Sequence, residues 1–373
     1  MSPTEDPADT GYQPQRRRVV APPAAQSEGY RPTGSPPPAS SADPILPRRA
    51  VRRAAAGASA EPSPEAAESL TAERLLRRRG AEPEQGWRRT LYRATGGNVR
   101  AGDPPAVVRR KAAEARVARR LAGPARFVPV LTRKGGVGKT TVTTMLGMMM
   151  ATLRDDRVIA VDANPDRGTL AERVPGRIQH TVRDVVHRAP GIQTFSDMSE
   201  LVTRDATRLD VLASDTDPAT AEAFGEDDYK IVADVVSRHY SIVLTDCGTG
   251  MVHSVMRGTL DLADSLVLVS GSSVDEARLA SETLTWLEAR GYSHLVRSAV
   301  VALNAATPQN GALDLKELRR HFESRCRVVT LLPYDSHLAE GAAIRLESLQ
   351  PETRSAVLEL AATVVDGLGP GRD

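Results

Sequence analysis

From residue 127 onward, short runs rich in Val, Ile and Leu alternate with longer stretches in which apolar side chains recur every three or four positions. The short runs at 127–132, 157–161, 209–213, 240–245, 265–270, 298–304 and 328–332 predict strands. Between and after them, 141–153, 181–188, 227–238, 254–263, 274–290, 314–324 and 351–366 predict helices. Runs such as SLVLV and SAVVAL show no in–out alternation, so their strands are expected to be covered on both faces, as in parallel sheets. Strand and helix in turn predict an α/β fold: a doubly wound, mostly parallel sheet with helices on both sides. Aromatic residues make up 3% of the chain, so this core is expected to be aliphatic, with Met148, Met149 and Met150 as helix packing.

The chain before residue 127 has a different pattern. Residues 1–62 hold almost no large apolar side chains and cannot offset the entropy of ordering a backbone, which predicts a disordered Pro/Ala-rich arm. Residues 63–126 read as a basic helical linker. Ser63, Pro64 and Glu65 open a helix that stops at Gly80, and Trp87 and Leu91 lie one turn apart in a second element. A third, 105–121, aligns Ala113, Val117 and Leu121 on one face with arginines elsewhere. Residues 127–373 form the predicted globular domain.

Charge sharpens this division. Lys and Arg outnumber Asp and Glu by 23 to 13 up to Arg126, a net +10; the remainder carries 26 against 34, or −8, and the two sum to +2. The basic segment fits two readings: a solvated arm tucked against the body, or a docking element for an acidic partner, nucleic acid or an anionic membrane. Two cysteines, Cys247 and Cys326, give no disulfide framework. No leader-like segment opens the sequence, and no run approaches about 18 apolar residues, so a cytoplasmic location is expected.

The chemistry concentrates after the first strand, at Lys134-Gly135-Gly136-Val137-Gly138-Lys139-Thr140-Thr141. A glycine-rich turn that leads into a helix aims backbone N–H groups at an anion. Lys139 is placed to reach the β- and γ-phosphates, and Thr140 to supply a hydroxyl for Mg²⁺. The first glycine of the general phosphate-loop pattern is replaced here by Arg133. Asp162 and Asp246 close two further strands, where open α/β sheets bind ligands.

KGGVGKTT resembles the deviant Walker A motif of MinD/ParA-like ATPases, and the resemblance covers about 127–349. It implies ATP and Mg²⁺ as cofactors and an ATP-state homodimer in which Lys134 reaches the partner's phosphates. Asp162-Ala-Asn164-Pro-Asp166 resembles switch I of that family, with Asp162 near Mg²⁺. Asn164 stands where the family has a carboxylate tied to hydrolysis, so turnover is expected to be slow unless Asp166 substitutes. Tyr240 to Gly250 resembles a Walker B strand that leads into switch II, with Asp246 at the metal. The resemblance places Asn304, Pro333, Tyr334 and Asp335 around adenine, while strand-to-loop turns remain open for Tyr334 and Asp335. Asn304-Ala-Ala-Thr lacks a guanine signature, which favours ATP over GTP.

A narrower similarity, in GWRRTLYRATGG and DRVIAVDANPDRGTL, is to the MinD-like ATPases of type VII (ESX) secretion, of the EspI type. It implies an ATP-gated switch with an accessory or regulatory role and a protein partner in a secretion complex. The alternative is a ParA-like partition ATPase that binds DNA through its basic arm, since the acidic body offers little phosphate neutralisation. The last helix has one basic residue and reads as packed, which leaves peripheral membrane contact open.

Overall fold

The computed structural model describes residues 103–369, apart from 166–167, 177–178, 216–222 and 307–313. The predicted arm, the helix from Pro64 and the Trp87 element lie outside the described residues. Eight strands form one sheet: β1 (Arg126–Leu131), β2 (Val158–Ala163), β3 (Thr203–Arg204), β4 (Asp210–Leu212), β5 (Ile242–Cys247), β6 (Val267–Gly271), β7 (Val300–Asn304) and β8 (Val328–Leu332). Their order is β3-β4-β2-β5-β1-β6-β7-β8. All neighbours are parallel except β3, which runs antiparallel to β4 at the edge. Seven strands match the sequence reading to within a few residues. The two-residue β3 was not foreseen, because a strand that short has no periodicity.

The helices are α1 (Pro105–Val117), α2 (Lys139–Leu153), α3 (Val182–Arg188), α4 (Phe195–Ser199), α5 (Glu226–Ser237) and α6 (Ser254–Leu262). They continue as α7 (Val274–Ala289), α8 (Ser293–Ser298), α9 (Leu315–Glu323), α10 (Ser336–Ala339) and α11 (Pro351–Gly367). Alternate residues of each strand point to opposite faces. Val128, Val130, Ala160 and Leu244 join α1, α2 and α11 in one aliphatic cluster. Ile159, Val161 and Val243 pack with α3 and α5 on the other face, and Leu131, Leu268 and Val301 with α6 and α7. The central strands are thus covered twice, as their unbroken apolar runs require.

Helix α1 belongs to this packing. Ala113 and Val117 are buried in the α2–α11 cluster. Arg116 reaches Glu359 at 2.7 Å and Asp366 at 2.7 Å, and Arg119 donates to the Val365 carbonyl at 2.8 Å. Arg154, just past α2 and 1% exposed, donates to the carbonyls of Val117 and Arg119 and grips Asp156 through two 2.6 Å bonds. These arginines are therefore engaged by the body itself. The helix ends at Val117, so Leu121 falls beyond it, contrary to the expected extent. Among the described residues, no helix is long and apolar enough to cross a membrane. α11 buries Val357, Leu360, Ala361 and Val364, as its pattern suggested.

Candidate functional site

The loop 132–138 leaves the central strand β1 and ends at the first turn of α2. Gly136 and Gly138 have φ of 82° and 91°, the left-handed region that a side chain disfavours. A Cβ on Gly138 would also strike the Asn304 amide. No side chain caps the N-terminus of α2 and its first turn carries no acid, so its N–H groups remain available to an anion. Nothing lies within 4 Å of a Cβ placed on Gly135, which leaves the mouth of the loop open.

Beneath the loop, Asp246 collects three donors. Lys139 Nζ lies 2.6 Å from Oδ1, Thr140 Oγ1 2.7 Å from Oδ2, and Thr143 Oγ1 3.0 Å from Oδ1. Lys139 and Asp246 are 7% and 1% exposed, so each charge depends on the other for solvation. Thr140 also meets Thr169 Oγ1 at 3.0 Å. Because Thr140 spends its proton on Asp246, Thr169 is the donor in that contact.

Asp162 is fully buried on the adjacent strand, in register with Asp246. Its carboxylate accepts from the backbone N–H groups of Asn164 and Leu170, each at 3.1 Å. Burial, followed by the Asp246 charge, pushes its pKa up to about 7. A Cβ on Gly168 would come within 2.6 Å of Ser214 Cβ, so a glycine lets the chain after β2 close over Asp162. The Asn164 side-chain oxygen abuts Gly248 of the opposing segment, at 3.1 Å from a Cβ built there. Asp166 lies outside the described residues. Cys247 is buried with its thiol pushed up to about 12 by burial, which makes it a packing residue.

Beside the loop is a cavity of about 210 Å³, lined by Gly136, Thr141, Arg173, Asn304, Pro333 and Tyr334 among others. Asn304 donates Nδ2 to the Val137 carbonyl at 2.9 Å, which fixes the loop from the cavity side. Asp335 also borders the cavity, but its two oxygens accept from the His337 and Gln350 amides at 3.0 and 2.8 Å. Its carboxylate serves as the N-cap of α10 and a brace to the start of α11. Lys134 sits apart on the surface, 3.3 Å from Glu276 Oε1 of α7.

Thr143, Thr169, Arg173 and Glu276 were not anticipated. Thr143 had a legible signal, since it lies one helical turn after Lys139 on the same face. The other three are brought in by segments distant in sequence. The donors gathered at Thr140, Asp162 and Asp246 are all oxygens, the set that a hard cation such as Mg²⁺ takes. No cluster of three or more His, Cys, Asp or Glu able to hold a metal ion occurs among the described residues.

Residues 128–346 match the CobQ/CobB/MinD/ParA nucleotide binding domain. The chain belongs to that family. Within the CobQ/CobB/MinD/ParA family, it is 35% identical over 285 residues to the ESX-1 secretion-associated protein EspI of Mycobacterium tuberculosis, strains CDC 1551 and H37Rv. That alignment takes in 76% of this chain but 42% of EspI, so the chain spans less than half the length of these relatives. Two archaeal structures share the fold: the cell division ATPase MinD of Pyrococcus furiosus and the septum site-determining protein MinD of Pyrococcus horikoshii OT3 in complex with Mg-ADP. TM-scores are 0.52 for both, with identities of 19% and 17%. Each covers 64% of this chain, and 98% and 94% of its own.

Proposed function

We propose that this protein binds ATP with Mg²⁺, closes into a homodimer in the ATP state and hydrolyses ATP slowly, as a cytoplasmic switch ATPase with an accessory or regulatory role in type VII secretion. The observation that carries this reading is the convergence of Lys139, Thr140 and Asp246 beneath a loop whose glycines are left-handed. Lys139 meets the β- and γ-phosphates, and the helix amides hold their oxygens. Thr140, Asp246 and Asp162 hold Mg²⁺, which supplies positive charge against the phosphates when bound. Asn304, Pro333 and Tyr334 form one wall for the base. Lys134, exposed at the rim, is positioned to meet a second subunit.

Adding a nucleotide replaces the Lys139–Asp246 pair with a phosphate contact on one side and a metal contact on the other. That exchange supports a switch, because the segments of Asn164 and Gly248 touch each other immediately above it. The secretion role rests on the 35% identity to EspI. Titration of a fluorescent ATP analogue, with and without Mg²⁺, combined with light scattering, tests the reading. Saturable Mg²⁺-dependent binding and a doubling of mass with ATP are expected. No binding of any nucleotide would overturn it.

A further inference from the structure

We infer that Thr143 is a positioning residue that takes over Asp246 when Lys139 leaves it. The inference rests on the nucleotide-binding reading above and concerns a residue one turn below the phosphate loop. Thr143 is fully buried, and its hydroxyl oxygen lies between two acceptors: the Lys139 carbonyl at 3.1 Å and Asp246 Oδ1 at 3.0 Å. A hydroxyl carries one proton, so it can donate to only one of them at a time.

In the structure, Asp246 Oδ1 already has the Lys139 ammonium at 2.6 Å. The carbonyl therefore competes well for the Thr143 proton. When Lys139 turns to a phosphate, Oδ1 loses its charged donor, while Asp246 stays buried beside a second carboxylate on the neighbouring strand. A buried carboxylate with an unmet lone pair is costly, and rotation of the Thr143 hydroxyl supplies the donor without any backbone movement. Thr140 does not do this, because its hydroxyl serves the other carboxylate oxygen, Oδ2. Of the two donors on Oδ1, Thr143 is thus the one whose duty survives nucleotide binding. It keeps Oδ1 supplied with a donor and the carboxylate aimed.

The test is the Mg²⁺ dependence of ADP binding by the full chain, for wild type, Thr143→Val and Thr143→Ser. Valine keeps the shape and removes the hydroxyl; serine restores the hydroxyl. Thr143→Val is expected to bind ADP on the order of tenfold more weakly than wild type even without metal, because Lys139 leaves Oδ1 for the phosphate in either case; that is the scale of one lost hydrogen bond to a charged group. It should also need more Mg²⁺ for half-maximal tightening, because Asp246 is no longer aimed. Thr143→Ser should recover the wild-type midpoint. Unchanged ADP affinity in Thr143→Val overturns the inference, as does a Thr143→Ser variant that fails to recover the wild-type affinity, which would mark a merely structural role. If valine prevents folding, Thr143→Ala against Thr143→Ser gives the same comparison. Failure of the wild type to bind ADP at all would strike the underlying functional reading instead.

Discussion

Lys134 donates its ammonium to Glu276 of the same chain, at 3.3 Å. The lysine side chain is 43% exposed, and exposed pairs of this kind contribute at most about 1 kcal/mol, so exchanging Glu276 for a phosphate on a second subunit costs little. Lys139→Ala is expected to abolish nucleotide binding. Lys134→Ala should keep binding and lose ATP-dependent dimerisation. Light scattering with ATP and Mg²⁺ separates the two, and equal dimer yields for wild type and Lys134→Ala would remove the cross-subunit role.

Hydrolysis should respond to the side chain at 164. Asn164 hydrogen-bonds but cannot take a proton as a carboxylate does, and general-base assistance is typically worth about 10²–10⁴-fold. Asn164→Asp should raise single-turnover hydrolysis by up to that range, measured at matched nucleotide occupancy. If Asp166 performs the task, Asp166→Asn lowers turnover and Asn164→Asp leaves it unchanged.

The raised Asp162 pKa sets a sign for stability against pH. Between the ordinary carboxylate value and about 7, the folded protein holds a proton there that the unfolded chain releases. This contribution is complete below the unfolded value and is lost as pH rises through about 7. Without nucleotide, the urea midpoint should therefore carry a downward component between about pH 4 and 7. Asp162→Asn should flatten that component; an identical slope in the variant would assign the effect to other groups.

Arg154 is the buried clamp between α1 and the end of α2. Arg154→Met leaves Asp156 and the carbonyls of Val117 and Arg119 without their donor, a loss of about 3–5 kcal/mol in chemical denaturation. Arg319→Met breaks only an exposed pair with Glu323 one helical turn away and should cost about 0.5 kcal/mol or less. Equal midpoints for the two variants would contradict the clamp.

The phosphate loop was legible because strand, glycines and helix start are contiguous, and local sequence alone dictates their geometry. The sheet was legible for a related reason: strands buried on both faces need unbroken apolar runs, which are easy to see. β3 escaped because two residues carry no period, and α8 because its Leu295 and Val296 read as the approach to the next strand. Arg173 and Thr169 reach the site through a loop whose conformation depends on Gly168 packing against Asp162. Glu276 escaped since its sequence signal is that of an ordinary helix start, which it also serves through Ser273. The packing of α1 was half visible: Ala113 and Val117 marked its buried face, while the partner that receives it lies some 240 residues away, as the 243 and 250 positions that separate Arg116 from Glu359 and Asp366 show.

The pairing of Asp162 with Asp246 also bears on how the chain finds its sheet. In β2 and β5 both faces are apolar, so alternation alone scarcely distinguishes the native alignment from one displaced by a residue. The two aspartates remove that ambiguity. With Asp162 opposite Asp246, both carboxylates lie on the α2 face, where lysine and threonine hydroxyls and backbone amides meet them. A slip of one position would turn Asp162 into the mainly apolar layer beneath α3 and α5, away from the backbone amides that now meet it. The residues that prepare the site for phosphate chemistry therefore also proofread the alignment of the central strands, and a molecule that has misaligned them has lost its site as well.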